Sequence, residues 1–253
     1  DLAAIETQFL FHVPAPPETY LLAPHGAVPS LMPSVGGGCW TPVEWFNDPA
    51  GYRTGGDDAS GSLILSGSGG EIGSTAWELT GDHSRANACA ALLAARHVGV
   101  PLDKGLAALS RFENVKRRME VRGAVRGVTV YDDFAHHPTA IATTVAGLRR
   151  KVGTERILAV LEPRSNTMKL GVMKSALPGS LIEADAVFCY GANLGWDAAE
   201  ALAPLGAKAV VEDDLDKLVG RIVAEARSGD HVLVMSNGGF GGIHGKILER
   251  LAP

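Results

Sequence analysis

The sequence predicts an α/β protein whose second half, residues 112–253, is a Rossmann-like, mostly parallel open sheet. Three observations predict it. Short apolar runs recur at Val128–Tyr131, Ile157–Leu161, Ala186–Tyr190, Ala209–Val211 and His231–Met235. Helix-like segments separate them, and several of the runs pass directly into conspicuously polar turns. Buried strands alternating with helices require crossover connections, which give a parallel sheet covered on both faces.

The elements read as follows. Leu2, Ile5, Phe9 and Val13 recur at helical spacing, and Pro14, Pro16 and Pro17 stop that helix. Residues 20 to 75 are rich in Gly, Pro and Ser, with short strands expected at Tyr20–Ala23 and Leu63–Leu65. Gly36-Gly37-Gly38 and Gly67-Ser68-Gly69-Gly70 can be read as phosphate loops or as hairpin and surface loops. The second reading is favoured, because no Gly-Lys-Ser/Thr follows either. A helix is expected over Ala88–Val98, entered through Gly81–Asn87 with Asp82 or Ser84 as cap and ended by Gly99 and Pro101. A shorter helix follows at Leu102–Leu109. Phe112–Arg122 is polar and basic, and reads as the hinge between residues 1–111 and 112–253. The strands named above then alternate with helices to a last one near Ile243–Leu251.

Composition sets bounds on function. With 46% apolar and 20% charged residues the chain can bury an ordinary core. Its formal net charge of −5 predicts neither a nucleic-acid partner nor an acidic membrane surface. Cys39, Cys89 and Cys189 are widely spaced, so neither a disulfide framework nor a zinc site is indicated, and a reducing cytoplasm is expected. No apolar run approaches a membrane span. The opening Asp1-Leu2-Ala3-Ala4-Ile5 lacks Met and already reads as helix, which predicts an excised or processed piece of a longer chain.

Ligands of open α/β sheets bind beyond the carboxyl ends of the strands. There the sequence places Asp132-Asp133-Phe134-Ala135-His136-His137-Pro138, Glu162-Pro163-Arg164-Ser165-Asn166-Thr167-Met168-Lys169 and Ser236-Asn237-Gly238-Gly239-Phe240-Gly241-Gly242. The first turn admits three readings: metal ligands, helix capping with a packed His, or a nucleotide and substrate site. Chelation is disfavoured because adjacent side chains seldom point the same way. Arg164 offers a planar fork for carboxylate or phosphate and Lys169 a nearby charge, although an arginine after a strand is often a solvated loop residue. The glycine turn fails the dinucleotide fingerprint because His244 takes the last glycine position, and Gly245-Lys246-Ile247 fails as a phosphate loop. Backbone amides at a helix start remain available to it. His83 and Asn87, one helical turn apart, can flank a flat heterocycle or act as a capping and packing pair. Arg117-Arg118-x-Glu120 is either an exposed run or a cation pair placed to meet an anion.

Together these segments resemble the Mur ligase family. Gly81-x-His83-x-x-x-Asn87 resembles the adenine-side motif of its central domain. Phe112-x-Asn114-Val115-x-Arg117-Arg118-x-Glu120 and the Asp132–Thr139 turn look like the linker and first strand of its C-terminal domain. The Glu162–Lys169 and Ser236–His244 segments resemble the tripeptide-adding branch rather than the L-alanine-adding one.

The resemblance implies a partial central α/β domain over 1–111 and the C-terminal Mur ligase domain over 112–253. It implies ATP and Mg²⁺ as cofactors, and UDP-N-acetylmuramate and a murein tripeptide as substrates. The ligase would phosphorylate the lactyl carboxylate, and the peptide amine would attack the acyl phosphate. His83, Asn87, Arg118 and Asp132 would hold the nucleotide. His136, His137 and Arg164 would stand at the reaction. Asp133, Arg164, Ser165, Asn166 and Lys169 would face the peptide. The family's phosphate loop, Mg²⁺ ligands and UDP-binding domain have no counterpart in this sequence. They are expected on a missing N-terminal portion of the same protein, and turnover by this chain alone is not expected. Alternatives are another Mur-type or folylpolyglutamate-type ligase, or a non-catalytic nucleotide- or peptide-binding module.

Overall fold

The structure, a computed structural model, describes residues 21–25, 43–79 and 81–252. The expected opening helix, Gly36-Gly37-Gly38 and Cys39 lie outside the described residues. The chain divides into two compact units, one drawn from residues up to 78 with 82–112, the other from 79–81 with 113 onward.

In the first unit β1 (Leu21–Pro24) pairs in parallel with β2 (Val43–Phe46). Strands β3 (Arg53–Gly55), β4 (Ser62–Gly67) and β5 (Gly70–Ala76) form an antiparallel sheet. The alternation in β4 buries Leu63 and Leu65 completely. The second glycine run is therefore a hairpin turn, with Gly70 at a φ of 110° that other residues disfavour. Helix α1 (Asp82–His97) buries Ala88, Cys89, Leu92 and Leu93 on one face and is followed by α2 (Leu102–Leu109). The Asp82 carboxylate takes a hydrogen bond from Arg85 Nη2 at 2.5 Å, and the buried Arg85 guanidinium also pairs with Asp58. Two carboxylates offset the desolvation of that guanidinium.

The second unit holds a six-stranded sheet in the order β10-β9-β8-β11-β7-β6. Its strands are β6 (Glu120–Val125), β7 (Val128–Asp133), β8 (Ile157–Leu161), β9 (Ala186–Tyr190), β10 (Ala209–Glu212) and β11 (His231–Met235). Between them run α3 (Pro138–Val152), α4 (Asn166–Lys169), α5 (Leu177–Ser180), α6 (Ala198–Leu202), α7 (Leu215–Glu225) and, last, α8 (Ile243–Leu251). All pairings are parallel except β6 with β7.

Alternate residues of each strand feed opposite faces. Ile157, Ala159, Leu161, Leu233 and Met235 pack with α3, α5 and α6. Leu158, Val160, Val232 and Val234 pack with α7 and α8. Both faces are covered, which is why the strand sequences are continuously apolar.

Candidate functional site

The chain runs from β7 to β8 to β9 to β10 across the sheet, then returns to insert β11 between β8 and β7. That reversal opens a crevice at the carboxyl ends of β8, β11 and β7. Register sets its floor: Asp133 of β7, Met235 of β11 and Leu161 of β8 stand in one row. The three polar turns therefore leave the sheet side by side.

Hydrogen bonds join them above that row. Ser236 N donates to Asp133 O at 3.1 Å, and Glu162 N donates to Met235 O at 3.1 Å. Ser236 Oγ donates to Glu162 Oε2 at 2.6 Å and accepts from Gly238 N at 2.9 Å. Arg164 lies across the glycine turn so closely that a Cβ on Gly238 would fall 2.3 Å from its Nη1. Asn237 Oδ1 is buried there without a donor.

The two aspartates of β7 part company because neighbours on a strand face opposite ways. Asp133 turns toward α3. Its oxygens accept from Ala135 N at 2.8 Å, Met119 N at 2.9 Å and Thr144 Oγ1 at 3.3 Å. Burial pushes its carboxyl above the ordinary value, against those backbone hydrogen bonds. With 2% of the residue exposed, its carboxylate staples the loop.

Asp132 faces α8. Its Oδ1 accepts from Arg117 Nε at 3.3 Å and also stands 3.3 Å from His244 Nε2. The His244 approach lacks hydrogen-bond alignment, so that contact is electrostatic. Oδ2 lies 3.8 Å from Arg122 Nη1, beyond hydrogen-bond range, and keeps lone pairs for a further donor. Burial lowers the His244 pKa more than the Asp132 charge raises it.

His136 and His137 sit at the entry to α3. His137 is its N-cap, Nδ1 accepting from Thr139 N at 3.4 Å, with Pro138 in the first turn where a missing N–H costs nothing. His136 Nδ1 lies 3.0 Å from Phe134 O, and the ring meets Phe134 edge-on at 5.4 Å. A carbonyl only accepts, so neutral His136 carries its proton on Nδ1 and presents a lone pair at Nε2. His137 must then carry its proton on Nε2, so the two imidazoles offer opposite functions.

The arginine turn is also tied down. Ser165 caps α4, accepting from Met168 N at 3.3 Å, and keeps its O–H donor. Asn166 and Lys169 are exposed and share one side of this single turn. Gly195 N donates to Lys169 O at 3.0 Å, and Trp196 Nε1 donates to Met168 O at 2.7 Å. These bonds join the turn to an open cleft of about 900 Å³ at the ends of β9 and β10, lined by Asn193, Trp196, Asp213 and Lys217 among others.

His83 and Asn87 belong to the first unit and are exposed on one face of α1, opposite its buried Ala88 and Leu92. Among the described residues no group of three or more His, Cys, Asp or Glu is placed to hold a metal ion. No helix among them is long and apolar enough to cross a membrane.

Sequence reasoning placed Glu162, Ser236 and His244 in the polar segments and read Arg117 with Arg118 as a possible cation pair, but gave none of the four a role of its own. Ser236 and Glu162 follow strands directly, and that position was the available signal. Nothing in the sequence separates Arg117 from Arg118.

Residues 117–238 match the domain described as Mur ligase, glutamate ligase domain. Over 258 residues the chain is 44% identical to the UDP-N-acetylmuramate--L-alanyl-gamma-D-glutamyl-meso-2,6-diaminoheptandioate ligase of Escherichia coli (strain K12), covering 100% of this chain and 56% of that protein. It is 43% identical over 260 residues to the ligase of the same name from Haemophilus influenzae, covering 99% of this chain and 56% of that one. The crystal structure of a murein peptide ligase from Psychrobacter arcticus matches with a TM-score of 0.69 at 34% identity, covering 99% of this chain and 55% of that chain. The chain thus spans about half the length of the curated relatives it matches.

Proposed function

This chain belongs to the Mur ligase family, and from that premise we propose that it is the C-terminal part of an ATP-dependent ligase joining L-alanyl-γ-D-glutamyl-meso-diaminopimelate to UDP-N-acetylmuramate in the cytoplasm, in peptidoglycan recycling. On this reading residues 1–111 are the last part of the central ATP-binding domain and 112–253 are the C-terminal domain. One observation carries the assignment: three polar turns rise from a single row of the sheet, with Arg164 laid across the glycine turn.

ATP would supply the phosphoryl group that activates the lactyl carboxylate. The chain's own residues position and polarise, with little covalent chemistry to perform. In the second unit Asp132 Oδ2 would accept from ribose hydroxyls and Arg118 would meet the phosphates; in the first, His83 and Asn87 are the adenine-side residues by resemblance. Arg164, Asn166 and Lys169 bind carboxylates of the peptide. The Nε2 lone pair of His136 suits a proton leaving the attacking amine, and His137 Nε2–H suits the oxygen that gains charge. Asp133 and Ser165 hold this arrangement. On this reading Mg²⁺ would be held with the ATP phosphates by residues outside this chain, and among the described residues no group of three or more His, Cys, Asp or Glu forms a metal cage.

The test is phosphate release by the full-length protein containing this chain. It should require ATP, UDP-N-acetylmuramate and the tripeptide together. L-Alanine or glutamate replacing the tripeptide with equal efficiency would overturn the substrate assignment in favour of another branch. Arg164→Ala should weaken the tripeptide by about 2 kcal/mol, the scale of one charged hydrogen-bonded contact. This chain alone should release no phosphate.

A further inference from the structure

The double arginine at 117 and 118 has divided roles. Arg117 turns inward. Its Nε donates to Asp132 Oδ1 at 3.3 Å, and its Nη2 donates to Ser236 O at 2.5 Å and Gly238 O at 2.7 Å. Its guanidinium also stands over the Phe134 ring, 5.3 Å from the centroid. One side chain thus grips the ends of β7 and β11 together. The backbone is set to deliver it: Arg117 has a φ of 61°, a left-handed conformation that side chains disfavour. That conformation is held by Phe134 N donating to Arg117 O at 2.8 Å and Arg117 N donating to Glu120 Oε2 at 2.8 Å.

Two parts of the site meet on this fork. The Asp132 carboxylate is its first partner, and the other carbonyl-bearing turn is the one under Arg164. Gly238 is held from two directions, its carbonyl by Arg117 and its α-carbon beneath the Arg164 side chain. Lysine has no such fork: a single ammonium cannot span an aspartate and two carbonyls on separate strands.

We propose that Arg117 is a positioning residue that fixes the nucleotide-side Asp132 and the peptide-side Arg164 in one relation, so that the ligase presents both substrates together. The inference rests on the ligase reading above and adds a residue to it that touches neither substrate.

The experiment measures KM for each of the three substrates in the full-length ligase carrying Arg117→Ala, Arg117→Lys, Asp132→Ala or Arg117→Ala with Asp132→Ala. The expected result is a KM for ATP and for tripeptide raised by about tenfold in Arg117→Ala, the scale of one lost charge-assisted contact. The KM for UDP-N-acetylmuramate should stay within about twofold, a split that general loosening of the fold would not produce. Arg117→Lys should keep the fold and still raise both KM values by at least about threefold. The double variant should be no worse toward ATP than Asp132→Ala alone, since one residue acts through the other.

Unchanged KM values in Arg117→Lys, or ATP effects of Arg117→Ala and Asp132→Ala that multiply, would overturn the proposal. Should Arg117→Ala fail to fold, Arg117→Lys decides by the same criterion. A full-length protein without ATP-dependent ligation, or an Asp132→Ala variant with unaltered KM for ATP, would instead sink the underlying site reading.

Discussion

A Cβ on Gly238 would meet Arg164 Nη1 at 2.3 Å, Cδ at 2.6 Å and Cζ at 2.7 Å, all atoms of one flexible side chain. Gly238→Ala can therefore be relieved by moving Arg164, and its stability should stay within about 1 kcal/mol of the parent. The displaced guanidinium should lose the tripeptide nearly as fully as Arg164→Ala does. Calorimetric titration beside urea unfolding checks this, and retained affinity with lost stability would show that Arg164 does not depend on that glycine. His244 makes a second residue-scale case. Burial, then the Arg122 and Arg117 charges, lower its pKa from 6.5, while Asp132 and Glu120 act to raise it. Its unfolded form takes up a proton near 6.5 and its folded form only at lower pH. Stability should thus fall as pH drops below that point, by at most about 1.4 kcal/mol per pH unit, and level off once the folded imidazole also protonates. Urea unfolding from roughly pH 7 to 5 should show a steeper fall in the parent than in His244→Gln; parallel curves would contradict the burial argument.

At the scale of the element, legibility followed burial on two faces. Strands β8, β9 and β11 were readable to the residue because Ile157–Leu161, Ala186–Tyr190 and His231–Met235 are nearly continuous apolar runs. Strand β6 was not, and its first residues were read as hinge. It lies at the sheet's edge, carries Glu120 and Arg122, and breaks register between Val121 and Gly123, so no period of two is kept. Strand β7 runs two residues further than its apolar run predicts. Asp132 and Asp133 continue the ladder through Val234 and Met235 of β11, and backbone pairing is indifferent to side-chain charge. The polar turns were legible for the same reason the strands were: each starts where an apolar run stops. Which residue of a turn faces a ligand was not. Asp133 and Ser165 were drawn to loop-holding hydrogen bonds, and Arg117 reaches partners 119 and 121 residues away. Contacts of that range leave no trace in local spacing.

For the whole molecule, the two units differ in what they need. Both hydrophobic layers of the six-stranded sheet are made by residues beyond 113, from Met119 and Val125 through Leu251. Nothing from the first unit enters those layers among the described residues. A segment of about 140 residues with a sheet covered on both faces is an ordinary single-domain size. The three polar turns and the side chains that join them are also internal to it, since Arg117, Asp132, His136, Arg164, Ser236 and His244 all lie beyond 113. Residues 113–253 produced alone should therefore fold, with one cooperative urea transition whose slope matches the area buried by a domain of that length. The same fragment should show separate amide resonances for Asn237 and Gly239 that move together in Arg117→Lys, because that guanidinium holds the Ser236 and Gly238 carbonyls of the same two peptide units. A broad, non-cooperative transition would mean that this segment does not fold as a domain of its own, and the independence of its three turns would fall with it.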